Sequence, residues 1–320
     1  MIATLVAVAI LFVGCKKEKV DATSQNANNQ MLKFNSFEEV FDYMTRQNAK
    51  ESNDGFLSYG QIADSEYEEL SNNNSFSSME DIFQFVEHNK SKYQLIMIDK
   101  GEYIVETRFY DHPYRYVANS DGIFQVQDTI YKLIEGGLAY ASKGSIDDLM
   151  KCNQVETNNT NVSFFYFDNR DSKDYAYSCP NVIEAPAVIN GNNMITLKVE
   201  NYTRPSGYGG SLVGIYYLAK PYHKSIGWWG CQRTMTFYLN GVVHYIQNDP
   251  NSNNPTYKSD NWGYYPTGII SYTKGGFKCE DWVYALNPYG VSTNHIGAVQ
   301  SHVTTLDSGT ASINCNTEIL

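Results

Sequence analysis

The 320-residue sequence holds six cysteines and six histidines but no C-x-x-C, no H-x-H and no H-E-x-x-H. Those are the commonest spacings for zinc and thiol redox centres, so neither a metal nor a cofactor is expected from them. Cations are also sparse: 24 basic residues stand against 35 acidic ones, with no Lys/Arg-rich stripe after Lys19. Nucleic acid is excluded as a partner on that ground, because phosphate binding needs clustered positive charge. The apolar run Met1–Gly14 has no charged residue and one hydroxyl, Thr4. At that length it falls short of the roughly 20 residues that cross a bilayer core.

What is present begins at the end of that run. The stretch "LFVGCKKEK", residues 11–19, passes from apolar sequence through Gly14 to Cys15 and then to charge. The run has the character of a secretory h-region, and its junction resembles a bacterial lipobox. That resemblance implies cleavage after Gly14, so residues 1–14 are read as a signal peptide and Cys15 as the lipid-bearing first residue. Several acyl chains on one residue anchor stably, whereas one alone holds marginally. The expected location is the cell outer membrane, with the membrane itself as a partner through the lipid. Residues 15–35 are polar and rich in Asn and Gln, as suits a flexible tether.

Export implies an oxidising compartment in which disulfides persist. Beyond Cys15 the cysteines are Cys152, Cys179, Cys231, Cys279 and Cys315, an odd number, so at least one is unpaired within the chain. All five are read as structural.

Charge divides the remainder. Lys16–Asn161 carries 14 basic and 24 acidic residues, and Val162–Leu320 carries 10 and 11. Residues 36–160 are expected to form an acidic α+β domain. Phe37, Val40, Phe41 and Met44 recur at helical spacing behind Ser36 and Glu39, a capping box. Met79, Ile82, Phe83 and Val86 repeat the pattern behind Ser78 and Asp81, and "SIDDLM" from Ser145 repeats it more briefly. Between them "YQLIMID", "YIVETRFY", "YRYVAN" and "IFQVQDTIYKLI" read as strands, turning at Lys100-Gly101 and Asp121-Gly122. The segment "NSDGIFQVQDTIYKLIEGG", Asn119–Gly137, is similar to one that recurs in exported lipoproteins of the Bacteroidota, where it follows paired helices and precedes a β-rich region. The resemblance implies a lipoprotein and supplies no catalytic residues.

Residues 161–320 are expected to form an antiparallel β-sandwich, so the fold class is α+β. Turns are expected at Asn190-Gly191, Asn240-Gly241, Lys274-Gly275-Gly276 and Asp307-Ser308-Gly309. In "GGFKCEDWVYAL" the alternation puts Phe277, Cys279, Asp281 and Val283 on one strand face and sends Glu280 to the other.

No residue set selects a catalytic mechanism. Glu200, Asp249, Asp260, Glu280 and Asp281 are available carboxylates without a pairing, and the Asn/Pro-rich loop 248–261 departs from a calcium loop by having Asn254 where the sharp turn needs Gly. The feature above background is aromatic: 13 Tyr and 4 Trp fall between Tyr202 and Tyr289. Adjacent strand residues point oppositely, so each of Trp228-Trp229 and Tyr264-Tyr265 is expected to expose a ring. Trp228, Trp229, Tyr257, Trp262, Tyr264 and Tyr265 are the expected ligand-binding residues, with a glycan as the ligand, since flat rings suit the C–H faces of sugars. The function read from the sequence is a lipid-anchored, non-enzymatic binding protein of the envelope. The alternatives are an envelope scaffold that binds other proteins and, behind it, a secreted hydrolase.

Overall fold

A computed structural model describes residues 30–48, 56–73, 75–135, 137–152, 161–166, 179–205, 211–247, 262–287 and 291–316. Along the chain run β1 (Lys33–Phe34), α1 (Phe37–Asn48), α2 (Tyr59–Asn73), α3 (Met79–His88), β2 (Tyr93–Asp99), β3 (Glu102–Thr107), β4 (Ile123–Val126), β5 (Thr129–Ile134), β6 (Gly137–Ser142), α4 (Ile146–Lys151) and β7 (Ser163–Tyr166). Then follow β8 (Val182–Glu184), β9 (Val188–Asn190), β10 (Asn193–Pro205), β11 (Ser211–Lys224), β12 (Trp228–Gly230), β13 (Arg233–Gln247), β14 (Trp262–Pro266), β15 (Ile270–Gly276), β16 (Cys279–Asn287), β17 (Val291–Thr305) and β18 (Gly309–Asn316). The fold is α+β and mainly β. The signal peptide, Cys15 and most of the expected tether lie outside the described residues, although Lys33 and Phe34 already pair with β4.

The helices start as their caps dictate. Ser36 Oγ accepts from Glu39 N at 3.3 Å, and Ser78 Oγ accepts from Asp81 N at 3.2 Å. Phe37, Val40, Phe41 and Met44 are all buried on the inner face of α1. Removing a ring such as Phe41, 1% exposed, from water contributes about 1.5–3 kcal/mol. The expected strand "YRYVAN" is instead a 3-10 turn over Pro113–Tyr116, capped by His112, whose Nδ1 accepts from Tyr114 N. Proline fixes φ near the helical value and lacks a ladder donor, so it opens this turn. The Asn119–Lys132 segment is built locally. Asn119 Oδ1 accepts from the backbone of Asp121 and Ile123, Gly122 has φ +75°, and Lys132 Nζ donates to the carbonyls of Met150 and Cys152 that end α4.

Three sheets stack. The first has strand order β1-β4-β5-β6-β7; the central one β2-β3-β12-β11-β10-β8, with β16 on β11 and β9 on β10; the third β14-β13-β17-β18, with β15 on β13. Central and third sheets pack face to face over Ile215, Tyr217, Phe237, Val243 and Ile296, a sandwich whose strands from residue 182 onward pair antiparallel with one another, while β12 runs parallel to β3. Cys179 and Cys315 form a disulfide at its edge, Cys231 and Cys279 are thiols, and the Cys152 Sγ donates to Asp148 O at 3.4 Å. The opposite face of the central sheet meets the N-terminal layer, where Tyr216, Leu218 and Trp282 pack with Phe37, Phe41 and Tyr114. The boundary drawn at 160/161 therefore does not separate independent bodies: β2 and β3 are strands of the central sheet, and one core draws on both sides of that line.

Most turns lie where glycine marked them, with left-handed backbone at Gly101, Gly122, Gly191 and Gly309. Asn240-Gly241 differs, because β13 runs straight through it. A Cβ at 241 would lie 2.9 Å from Ile215 Cδ1, so this glycine serves the close approach of two sheets. It also marks the point where the partner on one side of β13 changes from β15 to β14.

Candidate functional site

The site is set by alternation along β11. Ile215, Tyr217 and Ala219 face the sandwich core, which sends Tyr216, Leu218, Lys220 and Tyr222 to the N-terminal layer. On β16 the same rule buries Glu280 there at 5% exposure. Charges placed in such an interface must be paired, because desolvation costs several kcal/mol per ion.

They are paired in three groups. Asp64 of α2 bonds the Arg115 guanidinium and lies 2.6 Å from Lys278 Nζ; Glu280 lies 2.7 Å from Lys278 and accepts from Tyr216 OH at 3.1 Å; the Tyr116 hydroxyl sits between the two carboxylates. Burial pulls the Asp64 carboxyl upward, but Arg115 and Lys278 outweigh it and hold it well below the usual range. In the second group Lys198 bridges Asp111 at 2.8 Å and Glu200 at 3.1 Å. Burial works against its charge, and the two acids overcome that and raise its pKa. The third group is Glu106, fully buried, bonded to Lys220 Nζ and accepting from Tyr222 OH at 3.2 Å. The Lys220 ammonium also lies 5.1–5.8 Å from the ring centroids of Tyr67, Tyr110 and Tyr222, within cation–π range.

Arg115 ties these groups to a loop. Its Nη1 donates to the carbonyls of Tyr110 at 2.7 Å and Phe109 at 3.3 Å. Phe109 has φ +59°, a left-handed backbone that costs an aromatic residue of order 1–3 kcal/mol. The buried guanidinium holds the loop in that state and so presents Tyr110 and Asp111 towards β10 and β11.

Between that loop, the β2–β3 hairpin and β10–β11 is a cavity of about 260 Å³. One wall is apolar, with Ile96 and Ile104; the other carries Tyr110, Glu184, Lys198 and Tyr222. It exists because β12 has only three residues and pairs with β11 only at Tyr222–Lys224. Aromatic faces, ammonium donors and the Glu184 carboxylate converge on one space, and burial keeps the Tyr110 and Tyr222 hydroxyls protonated.

No family model and no curated protein matches the chain. Among solved structures it is similar to a DUF4848 family protein from Bacteroides thetaiotaomicron, at 13% identity over 89% of this chain and 97% of that one, with a TM-score of 0.23. At that score the likeness carries no inference about fold or activity.

The residues expected to bind ligand do not gather here. Trp228 and Trp229 are core residues, 1% and 2% exposed. They do point oppositely, but β12 is an interior strand covered on both faces: Trp228 packs with Ile104 and Met194, and Trp229 stacks between Tyr67 and Phe76. Trp262, Tyr264 and Tyr265 lie in β14, backbone-paired with Ile246, His244 and Val243, and Tyr257 lies outside the described residues. The candidate carboxylates are equally scattered. Glu200 pairs with Lys198, Glu280 and Asp281 take opposite faces of β16, and Asp249, Asp260 and the calcium-like loop fall outside the described residues. Cys279 is buried against Tyr272 OH, and burial pushes its thiol up to about 11. Sequence reasoning missed Glu106, Lys220 and Arg115. The available signal was an ionisable residue at a core-phase strand position, as in "YLAKPY".

Proposed function

We propose that this chain is an exported binding protein, lipid-anchored to the cell outer membrane through Cys15, that holds a sugar unit of a glycan in the cavity between β3 and β11. The observation that carries the ligand class is the cavity wall itself. Tyr110 offers a ring to C–H faces, while Lys198, Thr196 and the exposed Glu184 offer donors and acceptors to hydroxyls. This moves the expected glycan site from the tryptophans of β12 to the tyrosines beside it. Export is supported by the apolar run before Cys15 and by the Cys179–Cys315 disulfide. A binding role is supported by the pairing of the interface carboxylates Asp64, Glu280, Glu200 and Glu106 with Arg115, Lys278, Lys198 and Lys220, which commits them to holding the two layers together.

Glycan-array binding with the full chain carrying Cys15→Ser tests the reading, followed by calorimetry on any hit. Tyr110→Ala is expected to weaken binding about tenfold or more, the equivalent of 1.4 kcal/mol. Absence of binding to every glycan, or indifference to Tyr110→Ala, defeats it.

A further inference from the structure

A second cavity, about 330 Å³, lies between α2 and the start of β2 and shares no lining residue with the first. Its interior is formed by Tyr59, Ile62, Ala63 and Tyr93, and its mouth by Glu66 and Lys92. That volume falls at the lower end of the ~300–1,000 Å³ typical of small-molecule sites. Tyr93 is only 7% exposed and Tyr59 is half-buried, so both rings line the cavity, while neither hydroxyl is a sealed, unsatisfied group.

The mouth is the informative feature. Lys92 Nζ lies 2.8 and 3.1 Å from the two Glu66 oxygens, with the side chains 56% and 43% exposed. An ion pair that open contributes little to stability, because solvent screens it, so opening it to admit a guest costs little. We infer that this cavity binds a small zwitterion of the amino-acid or dipeptide class bearing an aromatic or branched side chain. The guest carboxylate takes Lys92 and a tyrosine hydroxyl, the guest ammonium takes Glu66, and the side chain rests on Ile62, Ala63 and the two rings. A simple anion meets the Glu66 carboxylate, and a simple cation meets Lys92; a guest carrying both charges replaces the pair without leaving either end alone. Burial raises the pKa of both tyrosines, with the Glu66 charge adding to it, so both remain donors at neutral pH.

Calorimetry on the full chain with phenylalanine and alanyl-phenylalanine tests the inference, against phenethylamine, 3-phenylpropionate and glucose. The zwitterions are expected to bind at least tenfold tighter than either singly charged analogue, as loss of one charge-assisted hydrogen bond implies. Lys92→Ala and Glu66→Gln, both at exposed positions, are each expected to weaken zwitterion binding about tenfold, and Tyr93→Phe about three- to tenfold with the melting temperature held. Tyr110→Ala, in the other cavity, should leave it unchanged. No binding by either zwitterion, equal binding by the singly charged analogues, or indifference to Lys92→Ala and Glu66→Gln overturns the inference.

Discussion

The side chain on which most depends is Arg115, 1% exposed, because one planar fork bonds Asp64 and two loop carbonyls together. Lysine keeps the charge but not the fork. Arg115→Lys is therefore expected to lower stability by about 1–3 kcal/mol in urea titration, with donors lost to buried acceptors. It is also expected to weaken ligand binding through the loss of loop position. Asp64 sets the acid limit. Its carboxyl titrates lower in the folded protein than in the unfolded chain, so its contribution is complete above about pH 5 and disappears as pH falls through and below the ordinary aspartate value. Melting temperatures from pH 6 down to 2 should decline more steeply in the native protein than in Asp64→Asn. Caps were legible at this scale, since Ser36 and Glu39 are neighbours in sequence. Arg115 was not, because Asp64 and Lys278 stand far from it along the chain and nothing local announces them.

Elements were legible where one periodicity ruled. The faces of α1 and α3 are local amphipathic patterns and formed as expected, whereas "IFQVQDTIYKLI", read as one strand run, folds into the β4–β5 hairpin, turning at Gln127-Asp128 where Gln127 takes φ +54°. Helix α2 escaped notice because its sequence, "YGQIADSEYEELSNN", buries chiefly Gly60 and Tyr67 and so lacks an apolar stripe. Its start carries a complete capping box: Ser58 Oγ accepts from Gln61 N at 3.2 Å, and Gln61 Oε1 accepts from Ser58 N at 2.9 Å. Ser58→Ala should cost about 1 kcal/mol by chemical denaturation, and equal stability of the variant refutes that role. Strand β11 hid a different exception. Pro221 sits inside its 14 residues, at the point beyond β16 (last paired at Ala219) and before β12 (first paired at Tyr222), where no neighbour on that side needs its N–H.

The whole molecule is organised by a central sheet with both faces covered, which is why exposure estimated from the β region alone misplaced Trp228 and Trp229. Residues 162–320 expressed alone would expose Tyr216, Leu218, Trp282 and the charges beside them. That fragment is expected to be insoluble or to lack a cooperative transition, whereas the full chain should unfold with one coincident transition by near- and far-UV dichroism. A cooperatively folded fragment would restore the two-domain division. The Asp64, Arg115, Lys278 and Glu280 cluster carries a consequence for descent. Loss of any one strands a buried charge, so drift at these sites passes through poorly folded intermediates. The four should be inherited as a block, kept together or exchanged together for uncharged residues, and a set of homologous sequences in which they vary independently would show that the interface tolerates an unmatched charge.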